Sequence, residues 1–100
     1  MNINFEYHAV KASNRLEIMT AEKLDKLLNK FDFVVRADVF FKKENTSEAE
    51  TGMKCGIRLS SPGPRLFAES SKATFEASIA DTITELERQL KKRKAKMKTH

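Results

Sequence analysis

Seven cationic side chains stand between positions 88 and 98: Arg88, Lys91, Lys92, Arg93, Lys94, Lys96 and Lys98, with no acid among them. The chemistry open to such a run is anion binding. Lys and Arg near a helix C-terminus complement the helix dipole, and many charge runs are no more than solvated helix ends. Dipole complementation accounts for two or three cations, not for seven in eleven positions whose mutual repulsion must be offset. Positions 1–87 hold the other 12 basic and all 14 acidic residues, a balance of −2 within a chain of net charge +5. A near-neutral body with a basic end points to nucleic acid first and a membrane surface second. Nucleic acid ranks higher because an interfacial helix needs Trp, Phe or Leu opposite its cations, and only Met97 is available there. Lys91-Lys92-Arg93-Lys94 also fits a nuclear-localisation pattern, which carries little specificity.

A second set of cations, Lys23, Lys26 and Lys30, is spaced three and four apart, as on one edge of a helix. Alone it reads as solvated lysines whose stems cover a core. Beside the basic run it could form the other border of a groove that follows a phosphate backbone. Phe5, Tyr7, Phe40, Phe41 and Phe67 could stack bases, as sheet aromatics do in some RNA-binding modules. Their alternation favours core packing for most of them and leaves Phe40 and Phe67 unplaced. No catalytic constellation is visible: there is no Gly-rich phosphate loop, Cys-x-x-Cys, His-Glu-x-x-His or Ser with a His partner. His8 and His100 have no metal-ligand company, and Cys55 reads as a small core hydrophobe. The expectation is a non-enzymatic protein with no cofactor and no metal.

Those side chains need a scaffold. Ile3, Phe5 and Tyr7 alternate with polar residues, predicting a strand over 2–8. Ser13 is a good N-cap for a helix over about 14–30, with Leu16, Leu24, Leu27, Leu28 and Phe31 on one arc. A strand over about 34–44 places Val35, Ala37, Val39 and Phe41 on one side. Met53, Cys55, Ile57 and Leu59 define another, and Ser61-Pro62-Gly63-Pro64 turns into a last strand over about 65–71. Thr74 starts the final helix, whose stripe is Phe75, Ile79, Ile83, Leu86 and Leu90. Past Leu90, Arg93 and Lys94 flank the former stripe, and the last turns are expected to have no core to face and to project. The fold class expected is α+β, in the order β-α-β-β-β-α, with a four-stranded sheet and both helices on one face.

One hundred residues with 40% hydrophobic content suit one domain, expected to span 1–100 with residues 91–100 as a projecting basic tail. A single cysteine precludes an intrachain disulfide and fits a reducing compartment. No apolar run approaches the ~20 residues of a membrane span. The first residues lack the basic and apolar regions of a signal peptide, and Asn45-Thr46-Ser47, without one, reads as a chance sequon.

The chain resembles the ribosome-hibernation family, that of hibernation-promoting factor and ribosome-associated inhibitor A, or protein Y. Three stretches carry this: SNRLEIMTAEKLDKLLNKF from Ser13 to Phe31, Thr74 to Ile79, and LERQLKKRKAKMKTH from Leu86 to His100. The last is the most specific, with its Leu-x-Arg-Gln-Leu followed by alternating lysines. The resemblance implies a fold like that of double-stranded-RNA-binding domains. It also implies a translation inhibitor that binds 16S rRNA of the 30S subunit near the decoding centre and occupies the channel of messenger and transfer RNA. Ribosomes are thereby held inactive in stationary phase or starvation. It assigns RNA contacts to Lys23, Lys26, Lys30, Arg88, Lys91, Lys92, Lys94 and Lys96, with Arg36, Lys42 or Lys43 as sheet-side additions. Partners would be 30S and possible 70S or 100S ribosomes, with no membrane and no small-molecule substrate. The protein would be cytoplasmic and monomeric off the ribosome. Many relatives carry Asp-x-Tyr-Ala-Ala-Ile-Asp at the start of the second helix. Here Thr74 and Ala80 replace the acids and Glu76 the tyrosine, so contacts through those groups do not carry over. The chain has the extent of the short family form.

Two other readings stay open on the residues: a generic double-stranded-RNA-binding module, and a protein-interaction module acting on a transcription factor. Neutralising six to eight phosphates predicts a log–log salt slope of roughly −4 to −7.

Overall fold

The structure, a computed structural model, describes residues 2–97. Its elements are β1 (Asn2–His8), α1 (Asn14–Leu28), β2 (Arg36–Lys43), β3 (Met53–Ser60), β4 (Leu66–Lys72) and α2 (Phe75–Met97). The expected order and fold class hold. The sheet runs β1-β2-β3-β4, with β1 parallel to β2 and the other pairs antiparallel. A parallel pair needs a crossover, and α1 supplies it. One face of every strand turns to the helices. Val39, Phe41, Cys55, Ile57 and Leu59 are at most 1% exposed, as are Leu24 of α1 and Ile79, Leu86 and Leu90 of α2. Phe41 is the hub: its ring stacks with Phe5 and Tyr7 and meets Phe75 edge-on at 5.6 Å.

Ser13 caps α1 as expected, its Oγ accepting from Leu16 N at 3.3 Å. The Tyr7 hydroxyl donates to Glu17 Oε2 at 2.7 Å and ties β1 to the first turn of α1. Burial and that hydrogen bond both raise the phenol's pKa. One expectation fails before β2. Val35 is 66% exposed, and Val34 is buried in its place. The chain turns between Phe31 and Val34, whose N–H donates to Phe31 O. The alternation of β2 therefore starts only at Arg36.

The second helix sits close to the sheet because small hydroxyl residues line its contact with β3. Ser78 Oγ donates to Met53 O and accepts from Lys72 N, and Thr82 Oγ1 lies 3.2 Å from Cys55 O. The stripe read from the sequence omits both, although neither has exposed surface. Cys55 lies beneath this seam. Burial pushes its thiol up to about 12, so it stays protonated and inert.

The opposite face of the sheet is open to solvent. Phe5, Tyr7 and Phe41 belong to the core side, whereas Phe40 and Phe67 stack on each other on the open side, 6.2 Å apart and 15° from parallel. Phe40 reaches Phe67 across its cross-strand partner Gly56, and a Cβ there would come within 2.2 Å of the Phe40 ring. The ring thus covers backbone that a glycine leaves bare, which accounts for the placement of Phe40.

Candidate nucleic-acid interface

Lys23 and Lys26 on α1, and Lys30 just past its end, share the edge that borders α2. With Leu27 they line one wall of an open groove of about 580 Å³ between the helices. The facing wall is not basic: it consists of Ala80, Ile83, Thr84 and Glu87. Glu87 Oε2 stands 3.6 Å from Lys30 Nζ and 3.8 Å from Lys91 Nζ, so one carboxylate bridges the two helices' cations.

The basic run of α2 divides into two rows. A cylinder with 3.6 residues per turn cannot place all of these positions on one side. Lys91 and Lys94 turn toward the end of α1 and, with Lys30 and Phe31, line a second concavity that adjoins the groove at Lys30. Arg88, Lys92 and Lys96 follow i, i+4 spacing along the opposite flank, beside Leu66 of β4. Arg88 donates to both oxygens of Glu85, at 3.0 and 2.6 Å, and Gln89 adds a third donor. These hydrogen bonds, that of Arg88 foremost, pull the Glu85 carboxyl down to about 2. Among the described residues Lys92 and Lys96 form no ion pair with a carboxylate. Lys98 lies outside the described residues, as do Thr99 and His100.

Two cations beyond Leu90 do have something to face. The Arg93 guanidinium donates to Ser61 Oγ at 3.1 Å, Pro62 O at 2.9 Å and Pro64 O at 2.7 Å, which fixes it on the β3–β4 turn. Lys94 Nζ donates to Lys30 O at 3.1 Å, just past the end of α1, and lies 5.5 Å from the centroid of the Phe31 ring. Past Leu90 these two cations reach the β3–β4 turn and the end of α1 even though no large apolar side chain of α2 is buried there. The reason is reach: a long polar side chain finds carbonyls that an apolar stripe cannot use. Lys91, Lys92 and Lys96 remain exposed.

The structure therefore brings Lys23, Lys26, Lys30, Lys91 and Lys94 to two concavities that adjoin at Lys30 and sets Arg88, Lys92 and Lys96 apart from them. Sequence reasoning missed the acids that share this surface. Glu85 with Arg88 at i+3 and Glu87 with Lys91 at i+4 are legible as helical ion pairs. The seat of Arg93 has no sequence signal, because it joins residues 29 to 32 positions apart. Arg36 is committed to Asp38 at 3.0 Å, while Lys42 and Lys43 are exposed. At the departures from the family pattern, Thr74 Oγ1 accepts from Ala77 N and caps α2. Glu76 pairs with Arg15 at 2.6 Å, and Ala80 lines the groove. The backbone N–H of Glu76 itself, and then Arg15, hold its carboxyl below the usual range. Among the described residues no cluster of His, Cys, Asp or Glu could hold a metal ion, and no helix is long and apolar enough to cross a membrane.

The sequence profile of the family described as sigma 54 modulation protein / S30EA ribosomal protein matches residues 3–98. A ribosomal subunit interface protein from Coxiella burnetii has a similar structure. Its TM-score is 0.82 at 21% identity, over 95% of this chain and 99% of that one. The N-terminal domain of protein Y from Thermus thermophilus gives 0.74 at 22% identity, over 92% and 98%. At such identities the likeness establishes the fold. No curated protein matches the chain.

Proposed function

Because the chain belongs to the sigma 54 modulation protein / S30EA ribosomal protein family, we propose that it is a ribosome-associated translation inhibitor. It binds 16S rRNA of the 30S subunit near the decoding centre and holds ribosomes inactive in stationary phase or starvation. The observation that carries this reading is the two-row basic end of α2. A helix with cations on both flanks and no bulky apolar face suits a cleft walled by RNA on two sides. The channel that messenger and transfer RNA use is such a cleft. Phosphate contacts come from Lys23 and Lys26 on α1, from Lys30 just past its end, and from Arg88, Lys91, Lys92 and Lys96 on α2. Recognition is by charge and shape, in the cytoplasm, where the ribosomes are.

Glu85 and Glu87 offset two of these seven cations, so the effective number of neutralised phosphates is about five. At roughly 0.7 to 0.9 per phosphate, the log–log salt slope should be about −4, the shallow end of the range expected from sequence. The test is co-sedimentation with purified 30S subunits over a KCl series, with free duplex RNA as competitor. Preference for the subunit and a slope near −4 are expected. A slope near −1 would overturn the electrostatic reading, and preference for the duplex would support a generic double-stranded-RNA module. The family description also names sigma 54 modulation; binding to a protein partner that persists in high salt would favour that activity.

A further inference from the structure

Beyond Leu90 no large apolar side chain of α2 is buried, so hydrophobic packing does not set the direction of its last two turns. Arg93 and Lys94 are the described residues of that segment whose side chains are hydrogen-bonded to other elements. They are adjacent in sequence and fall on the two flanks of the stripe that Leu86 and Leu90 end. One tie runs to the β3–β4 turn, the other to the end of α1.

The first tie has a specific chemical reason. Pro62 and Pro64 have no N–H, so the turn has few donors for its own carbonyls. Gly63 holds φ +94, a conformation that Pro and most other residues avoid, and a Cβ there would stand 3.2 Å from the guanidinium. The planar fork of Arg93 supplies the missing donors to two carbonyls and a hydroxyl at once. A lysine ammonium cannot reproduce that fixed, divergent geometry. The second tie gives a donor to a carbonyl beyond the C-terminus of α1, where a cation also complements the helix dipole.

We infer that Arg93 and Lys94 are positioning residues rather than RNA contacts: they strap the basic end of α2 between the β3–β4 turn and α1, and so fix the direction in which Lys91, Lys92 and Lys96 meet RNA. This rests on the RNA-binding reading above and takes Lys94 out of the RNA contacts that the family resemblance implies. A carbonyl acceptor orients a cation without cancelling its charge, so the strap leaves the positive field intact.

Charge-conserving and charge-removing variants separate the two roles. A phosphate contact contributes to the salt slope; a strap contributes to the fraction of molecules competent to bind, which divides the apparent affinity. R93K keeps the charge and loses the fork. It should weaken 30S binding roughly five- to tenfold with an unchanged slope, a reduction in competent fraction of that size. Amide hydrogen exchange over residues 91–97 of the free protein should accelerate. K92Q should lower the slope magnitude by about 0.7 to 0.9 and leave exchange unchanged. K94Q should combine faster exchange with a loss of affinity larger than that of K92Q. Wild-type affinity and wild-type exchange in R93K would overturn the inference. So would an R93Q variant that behaves as K92Q does. Exchange is measured without RNA: if the wild-type protein fails to bind 30S but R93K exchanges faster, the strap stands and the ribosomal reading falls.

Discussion

Glu87→Gln should tighten RNA binding, because Glu87 is the carboxylate that cancels charge in the groove. Its Oε2 lies 3.6 Å from Lys30 Nζ and 3.8 Å from Lys91 Nζ. Unit charges at such distances attract by about 1 kcal/mol each in water. The lysine side chains are 66% and 69% exposed and Glu87 is 32% exposed, so screening and side-chain entropy reduce the net stabilisation to less than about 1 kcal/mol. For a domain of this size, E87Q should therefore lower Tm by no more than roughly 5 °C. Binding changes more. The substitution adds one net positive charge to the surface, equivalent to about one further neutralised phosphate. The salt slope should steepen by roughly 0.7 to 0.9, which at 0.1 M salt is a gain of about five- to eightfold in affinity. Anisotropy of labelled protein titrated with 30S subunits at four KCl concentrations would measure both quantities. Weaker binding at every salt, or an unchanged slope, would refute the reasoning and show that Glu87 orients Lys30 and Lys91 more than it neutralises them.

Other outcomes follow from the same geometry. Gly56→Ala should destabilise the domain by about 1–3 kcal/mol by overpacking, since the new Cβ would lie 2.2 Å from the Phe40 ring; in the Phe40→Ala background, urea titration should show most of that loss gone. Ser78→Ala should cost about 1–3 kcal/mol in the same assay, because Lys72 N and Met53 O lose a shared partner at a buried site. Glu85 should titrate near pH 2 by carboxylate NMR. A depressed carboxylate pKa means the Arg88 pair is fully present above the ordinary range near 4.5 and is lost only as pH falls through about 2; a midpoint above 4 would remove the pair.

The sequence made the elements legible to within about two residues, because hydrophobic period and turn chemistry are local signals. Ser13, Thr74 and the Pro62-Gly63-Pro64 turn marked element boundaries correctly. The misreadings have physical causes. Val35 continued the alternation of β2 on paper, but a turn resets the phase, and only the folded path shows that Val34 points inward. Ser78 and Thr82 are polar, so an apolar-stripe reading discards them, although a helix that lies close to a sheet favours such residues. Phe40 and Phe67 could not be placed because their partner is a gap, the missing side chain of Gly56, and a gap on the strand between them leaves no periodic trace. The basic surface was legible as charge but not as arrangement. That Lys30 and Lys91 share Glu87, or that Arg93 reaches Pro62 and Pro64, depends on how α1, α2 and the β3–β4 turn pack.

The distribution of partners along α2 is itself ordered. Up to Leu90 the helix is held by its core face, and there the cation Arg88 has an acid, Glu85, while Glu87 serves Lys30 and Lys91. Past Leu90 the core contacts end, and the hydrogen-bond partners of Arg93 and Lys94 are neutral carbonyls and a hydroxyl. The two kinds of partner do different things. An acid relieves repulsion but subtracts from the field that attracts RNA. A carbonyl holds the cation in place and leaves its charge available. Placing acids only where apolar packing already supports the helix makes the positive potential rise toward the tip, where solvent screening is greatest and fixed geometry is hardest to maintain. An acid introduced at position 95, between Lys91 on one flank and Lys92 and Lys96 on the other, would offset repulsion further and stabilise the isolated helix, yet weaken its attraction for RNA. The absence of acids from 88–98 therefore reads as a requirement of binding rather than of folding.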